Sequence, residues 1–155
     1  MGGVSRRLSQ PKVVGAFLFG PRPQFGVQIH LPPDLEEFLR ANGRHIPRAV
    51  TGEGFVDTGS TLTVVERERI EALGVEPVDT VNISGVGGKT ACHVYPVTFG
   101  LKDDPDGPVR MQWPLQVVAA SLDHLNCVCL IGRDVLRRGV LVYDGLRGEV
   151  SFTFD

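Results

Sequence analysis

Between Gly54 and Val65 the chain reads Gly-Phe-Val-Asp-Thr-Gly-Ser-Thr-Leu-Thr-Val-Val, an apolar run broken at its centre by an acid, hydroxyl residues and a glycine. Apolar residues on both sides read as buried strand, and an isolated carboxylate in a core is very costly. Whatever the fold, it must give Asp57 partners or bring it to a cleft. Thr58 and Ser60 put hydroxyls beside it, and Gly59 leaves room for backbone or a ligand to approach. The stretch reads as a site built around a carboxylate.

The rest of the chain frames that site with strands. At 155 residues there is room for one core and little more, so a single domain is expected over residues 13–155, preceded by a loose arm at 1–12. Its 19 glycines and 11 prolines favour many turns and short strands, which makes the class β-rich. Phe25, Val27, Ile29 and Leu31 alternate with Gly26, Gln28 and His30, a strand with one buried face. Pro33 followed by Asp34, Glu36 and Glu37 opens a short helix with Leu35, Phe38 and Leu39 on its apolar stripe, ended by Asn42 and Gly43. A second helix spans residues 66–73 and closes at Gly74. Residues 81–84 and 91–95 read as strands joined by Gly85, Val86, Gly87 and Gly88, a hairpin tip. Residues 97–101 and 109–119 form another pair, with Pro114 implying an edge or a bulge. Residues 130–136 lead from a strand into one helical turn, and residues 140–143 and 149–154 form a last hairpin with Val150, Phe152 and Phe154 on one face.

Several functions are disfavoured. A net charge of −2 with scattered Lys and Arg gives no footprint for nucleic acid or an anionic membrane. No apolar run approaches membrane-spanning length and no secretory signal opens the chain, so a soluble, unprocessed protein is expected. Met1-Gly2 begins as a myristoylation signal does, but Arg6 stands where Ser or Thr is needed. Cys92, Cys127 and Cys129 have neither redox nor zinc spacing, and reduced, buried thiols in a cytoplasmic protein are expected. His30, His45, His93 and His124 show no metal spacing. Asp103, Asp104 and Asp106 lack the first ligand and closing Glu of a calcium loop and read as a solvated turn. Gly88-Lys89-Thr90 lacks the earlier glycine of a phosphate loop, with Ile83 in its place. No metal and no cofactor is expected.

Phe55-Val-Asp-Thr-Gly-Ser60 resembles the active-site signature of aspartic proteases. Together with residues 61–74, the glycines at 85–88 and Leu130-Ile-Gly-Arg-Asp-Val-Leu136, it is similar in order and spacing to the retropepsin-like, single-domain aspartic proteases. The resemblance covers about residues 25–155. It implies a mostly antiparallel closed β barrel with one or two short helices. Only one complete Asp-Thr-Gly loop exists: Asp79-Thr80 is followed by Val81, and Asp144-Gly145 lacks the hydroxyl residue. The chemistry needs two carboxylates sharing a proton, as in the aspartic-protease dyad, so the second must come from another copy in a two-fold homodimer.

The resemblance also implies roles. Asp57 and its mate activate a water that attacks the peptide carbonyl, Thr58 braces the two loops across the dimer, and Gly59 offers its backbone to the carboxylate. Ser60 is expected to donate to the outer oxygen of Asp57. Gly85, Val86, Gly87 and Gly88 are the flap tip over an extended, largely apolar peptide. Gly132 and Arg133 support the loop from the segment at 130–136. Retroviral members carry an acid where this chain has Thr61, so Arg133 needs another partner, the candidates being Glu66 and Asp134. That departure, with a surplus at residues 32–47, fits the cellular and bacterial branch. Val150, Phe152 and Phe154 suit an intersubunit sheet. A non-catalytic dimerisation or peptide-binding module on the same fold is the alternative.

Overall fold

The computed structural model describes residues 12–17, 23–85 and 87–154. The arm expected at 1–12 falls outside these except at Lys12, as does Val86 of the expected flap tip.

The alternating segment forms β2 (Gln24–His30), with Phe25, Val27 and Ile29 buried. Pro33 starts α1 (Pro33–Ala41), where its fixed φ and missing N–H cost nothing. The helix lays Leu35 and Leu39 on the core, leaves Phe38 exposed, and stops before Gly43 at φ +62°. β3 (Val50–Val56) leads into the Asp57 loop, followed by β4 (Val64–Glu66) and α2 (Arg67–Glu71), whose one buried side chain is Ile70. Gly74, at φ +69°, turns the chain out of that helix. Then come β5 (Asp79–Gly85), β6 (Gly88–Lys102), β7 (Val109–Ala120), a 3-10 turn at Asp123–Leu125, β8 (Cys129–Ile131), α3 (Arg133–Leu136), β9 (Gly139–Asp144) and β10 (Glu149–Phe154).

Six strands in the order β2-β3-β8-β4-β7-β6 close on themselves through the β2–β6 pairing, making a barrel. Most pairings are antiparallel, with β3–β8 and β4–β7 parallel. β5 stands outside the ring on the first half of β6. The barrel interior holds Phe25, Val27, Ile29, Phe99, Leu101, Trp113 and Ile131, and a smaller cluster of Val64, Cys92, Val94, Val118 and Leu122 lies apart from it. Pro114 pairs with Thr98 on one side, while β4 reaches only Val118, Ala119 and Ala120 of β7. Its missing N–H therefore costs no ladder bond to β4, and the one register irregularity of the β6–β7 pair falls at Leu101/Lys102 instead.

A second sheet, β1-β10-β9, is built from β1 (Lys12–Phe17) and the last hairpin. Here one expectation changes: Val150, Phe152 and Phe154, suited by sequence to an intersubunit sheet, are buried in the chain's own core at 2%, 0% and 2% exposure. The acidic turn between β6 and β7 organises itself, Asp104 Oδ1 accepting the Asp106 N–H at 2.9 Å. It also presses on β2 so closely that a side chain at Gly26 would overlap the Asp104 carbonyl. Cys92 and Cys129 are buried and Cys127 half-buried, and none of the three is in a disulfide. Among the described residues no helix is long and apolar enough to cross a membrane.

Candidate active site

Asp57 sits one residue beyond β3. The parallel β3–β8 pairing sets Val56 against Ile131, and the next amide, that of Asp57, donates to the Ile131 carbonyl at 2.9 Å. The chain then turns sharply, the Ser60 N–H reaching the Asp57 carbonyl at 3.2 Å. That turn aims the Gly59 N–H at Asp57 Oδ1, 3.0 Å away, so the half-buried carboxylate gains a backbone donor from its own loop. A Cβ at Gly59 would lie 3.2 Å from the same oxygen, so the loop has little room for a larger residue. Ser60 departs from expectation: its hydroxyl donates to the Leu62 carbonyl at 2.6 Å and not to Asp57. Short hydroxyl side chains commonly bond their local backbone, and here the acceptor is the carbonyl two residues ahead.

The loop is braced from behind by the segment running from β8 into α3. The Arg133 guanidinium donates to the Thr58 carbonyl at 2.9 Å and to Thr61 Oγ1 at 3.0 Å, and its amide to the Ser60 carbonyl at 2.9 Å. Neither acid expected to pair with Arg133 does so. Glu66 instead accepts the Leu122 N–H, and Asp134 turns inward to Thr63. Asp134 is buried, and its carboxylate takes the Thr63 N–H at 2.9 Å, the Thr63 hydroxyl at 2.7 Å and the Val135 N–H at 2.9 Å. The same hydroxyl accepts the Gly132 N–H at 3.0 Å. Gly132 is glycine for lack of space: a Cβ there would stand 2.6 Å from the Leu62 carbonyl carbon. Thr63 and Asp134 were not singled out from the sequence as a pair, although each is a polar residue inside an apolar segment, which is the signal that finds them.

In front of the loop lies an open groove of about 410 Å³. Asp57, Gly59, Ser60 and Thr61 form one side, Leu62, Val64, Val118 and Leu130 contribute an apolar floor, and Val81, Asn82, Ile83 and Ser84 of β5 form the facing wall. The glycines at the β5–β6 tip lie beyond this lining, with Gly85 paired to Gly88 and Gly88 at φ +106°. The structure therefore brings Asp57, Gly59 and Ser60 to the groove and places Gly132 and Arg133 behind it. Thr58 is exposed on the loop. A carboxylate with one fixed donor, facing an apolar groove with strand backbone along its wall, can serve as acid or base toward a ligand lying there. Among the described residues no cluster of His, Cys, Asp or Glu is grouped to hold a metal ion.

The sequence matches no protein-family model and no curated protein. Among solved structures, the chain is similar to a retropepsin-like aspartic protease from Rickettsia conorii, at 12% identity and TM-score 0.53, covering 94% of this chain and 92% of that one. It also matches EIAV protease complexed with the inhibitor HBY-793, at 20% identity and TM-score 0.47 over 77% and 88% of the two chains. The simian foamy virus protease aligns at 17% identity and TM-score 0.44 over 74% and 92%. The Rickettsia structure, spanning nearly all of both chains, carries the assignment: the protein has the retropepsin-like aspartic protease fold.

Proposed function

We propose that the chain is one half of a homodimeric aspartic endopeptidase, with Asp57 as its catalytic residue. The observation that carries this reading is the Asp57 carboxylate at the end of β3, held by the Gly59 N–H and facing the apolar groove. One chain supplies one such carboxylate; a second copy supplies the other, and like charges a few ångströms apart share a proton. The ionised member takes a proton from a water that attacks the scissile carbonyl, and the protonated member gives its proton to the carbonyl oxygen. The tetrahedral intermediate then collapses with proton transfer to the leaving amine. Thr58 and Gly59 position the loop.

The peptide lies extended in the groove. β5 pairs only with β6 among the described strands, so its other edge offers main-chain donors and acceptors to an added strand. Leu62, Val64, Val81, Ile83, Val118 and Leu130 favour apolar side chains beside the cleaved bond. Gly85, Gly87 and Gly88, at the tip of the β5–β6 hairpin, close over it. The test is cleavage of a mixed peptide library from acid to neutral pH by wild type and Asp57→Asn. Scission by wild type alone, with both proteins folded and dimeric, supports the reading. Two folded dimers that bind peptides without cutting them would leave a peptide-binding module on the same fold.

A further inference from the structure

Among the described residues no carboxylate pairs with Arg133. Its exposed guanidinium donates to the Thr58 carbonyl at 2.9 Å and to Thr61 Oγ1 at 3.0 Å, both uncharged. The acids that charge alone would have offered it are engaged elsewhere, Glu66 on the Leu122 N–H and Asp134 on Thr63 and the Val135 N–H. A guanidinium is a planar fork of five donors, so this one has donors left to give. One of its acceptors, Thr61, also lines the groove. The Thr61 oxygen accepts from Arg133, and no described residue accepts its proton, which leaves that proton for a ligand. Of the described residues lining the groove only Asp57, four positions earlier on the loop, is charged.

We propose that Thr61 is a specificity-determining residue, through which the groove selects peptides with an acidic side chain to one side of the cleaved bond. The peptide carboxylate accepts the Thr61 hydroxyl and lies in the field of Arg133. A hydroxyl that itself accepts a bond from a cation is polarised into a stronger donor. A carboxylate oxygen accepting it stands about 2.6 Å from Oγ1. With the 3.0 Å from Oγ1 to Arg133 Nη2, the oxygen and that nitrogen are at most about 5.6 Å apart. That is inside the Debye length of about 8 Å at physiological salt, so the attraction is only partly screened. A glutamine in the same place keeps a hydrogen-bond acceptor and loses the charge, so Glu against Gln isolates the effect. The apolar floor of the groove does not distinguish the two. The inference rests on the proposed function for how the peptide lies, and adds to it the charge of the substrate.

The test uses dye-labelled pools of peptides of Val, Leu and Ala with a single Glu or Gln at one defined position. Binding to the Asp57→Asn protein is read by fluorescence anisotropy, with circular dichroism as the check on folding. For at least one position the Glu pool is expected to bind about three- to fivefold more tightly than the Gln pool at low salt, the upper range for an exposed ion pair. The ratio should fall toward one at about 0.5 M salt. Thr61→Asp, made in the same protein, gives Arg133 a carboxylate of its own and abolishes the preference. Thr61→Val removes the hydroxyl, keeps the shape and lowers the preference without abolishing it. Equal binding of the two pools at every position, no binding of either, or a preference that a folded Thr61→Asp protein retains overturns the inference. Cleavage of the same pools by wild type separates the two readings. A Glu preference in binding without scission by wild type keeps the inference and removes the enzyme. Scission of both pools with equal binding and equal kcat/KM removes the inference and leaves Asp57 in place.

Discussion

Thr63 tests the bracing of the candidate site without touching the groove. It is fully buried, and its hydroxyl both donates to the Asp134 carboxylate at 2.7 Å and accepts the Gly132 N–H at 3.0 Å. Thr63→Val keeps the shape and removes both bonds. A hydrogen bond to a charged group contributes roughly 1.5–3 kcal/mol, and a buried N–H left without an acceptor costs about 1–3 kcal/mol. Because the two effects share one atom, we expect a combined loss of about 3–4 kcal/mol, against a total stability of roughly 5–15 kcal/mol for a domain. Thr63→Ser keeps both bonds and gives up one methyl group, about 1 kcal/mol. Hydrophobic burial alone ranks the two variants the other way. Urea denaturation at fixed protomer concentration decides between them, with m unchanged, and melting should fall by roughly 10 °C for Val. A valine variant as stable as the serine one would refute the account of Asp134 as the loop's anchor.

Three further outcomes follow from the same contacts. Gly132→Ala places a methyl 2.6 Å and 2.7 Å from the Leu62 carbonyl carbon and oxygen, with φ already at an ordinary −87°, so its cost is one of space, about 1–3 kcal/mol by urea titration. Ser60→Ala removes only the bond to the Leu62 carbonyl, so the acid limb of any pH–activity profile should stay in place; a displaced limb would mean that the hydroxyl reaches Asp57 in the working enzyme. Burial pushes the Cys129 thiol well above its ordinary range, with Cys127 and Asp134 adding in the same direction. The folded state thus favours the neutral thiol, and its contribution to stability is complete below about pH 8.5 and lost as pH rises beyond it, at up to about 1.4 kcal/mol per pH unit. Urea midpoints from pH 7.5 to 10 should fall less steeply for Cys129→Ala than for wild type, and equal slopes would contradict this.

Periodicity and turn chemistry made much of the barrel legible. The alternation through Phe25, Val27 and Ile29 is a buried face because side chains of a strand point to opposite sides, and Gly43 and Gly74 end helices in the left-handed conformation that glycine adopts at least cost. The Asp57 loop was legible because an acid in an apolar run demands an explanation. What could not be read were choices between equivalent partners. Arg133 could have met Glu66 or Asp134 as far as charge is concerned; packing gave it two uncharged oxygen acceptors and gave Asp134 to Thr63, which is distant in sequence. Ser60 gives its hydroxyl to a backbone carbonyl of its own loop, a local choice that residue types alone do not fix. An apolar face such as that of Val150, Phe152 and Phe154 looks the same whether its cover is the chain's own core or a second copy.

The two sides of the groove differ in how they are held, and this bears on how a peptide could enter. The loop from Asp57 to Thr63 is tied to the β8–α3 segment through the amides of Asp57, Gly132, Arg133 and Asp134 and through the Arg133 guanidinium and the Asp134 carboxylate. Moving the acid means breaking several of these together, including buried ones whose loss leaves unsatisfied groups. The facing wall is β5, paired among the described strands with β6 alone, and of its side chains only Val81 and Ile83 are even half-buried. Lifting it re-exposes part of Val81 and Ile83 together with the smaller cluster they cover, at most about 1.5–3 kcal/mol for each side chain that is fully uncovered. On the proposed function, the motion that admits a peptide is therefore expected of the β5–β6 hairpin, while Asp57 keeps its place. For a reaction in which a carboxylate must stand within hydrogen-bond reach of a water and a carbonyl, that is the required division: the cover moves and the acid does not.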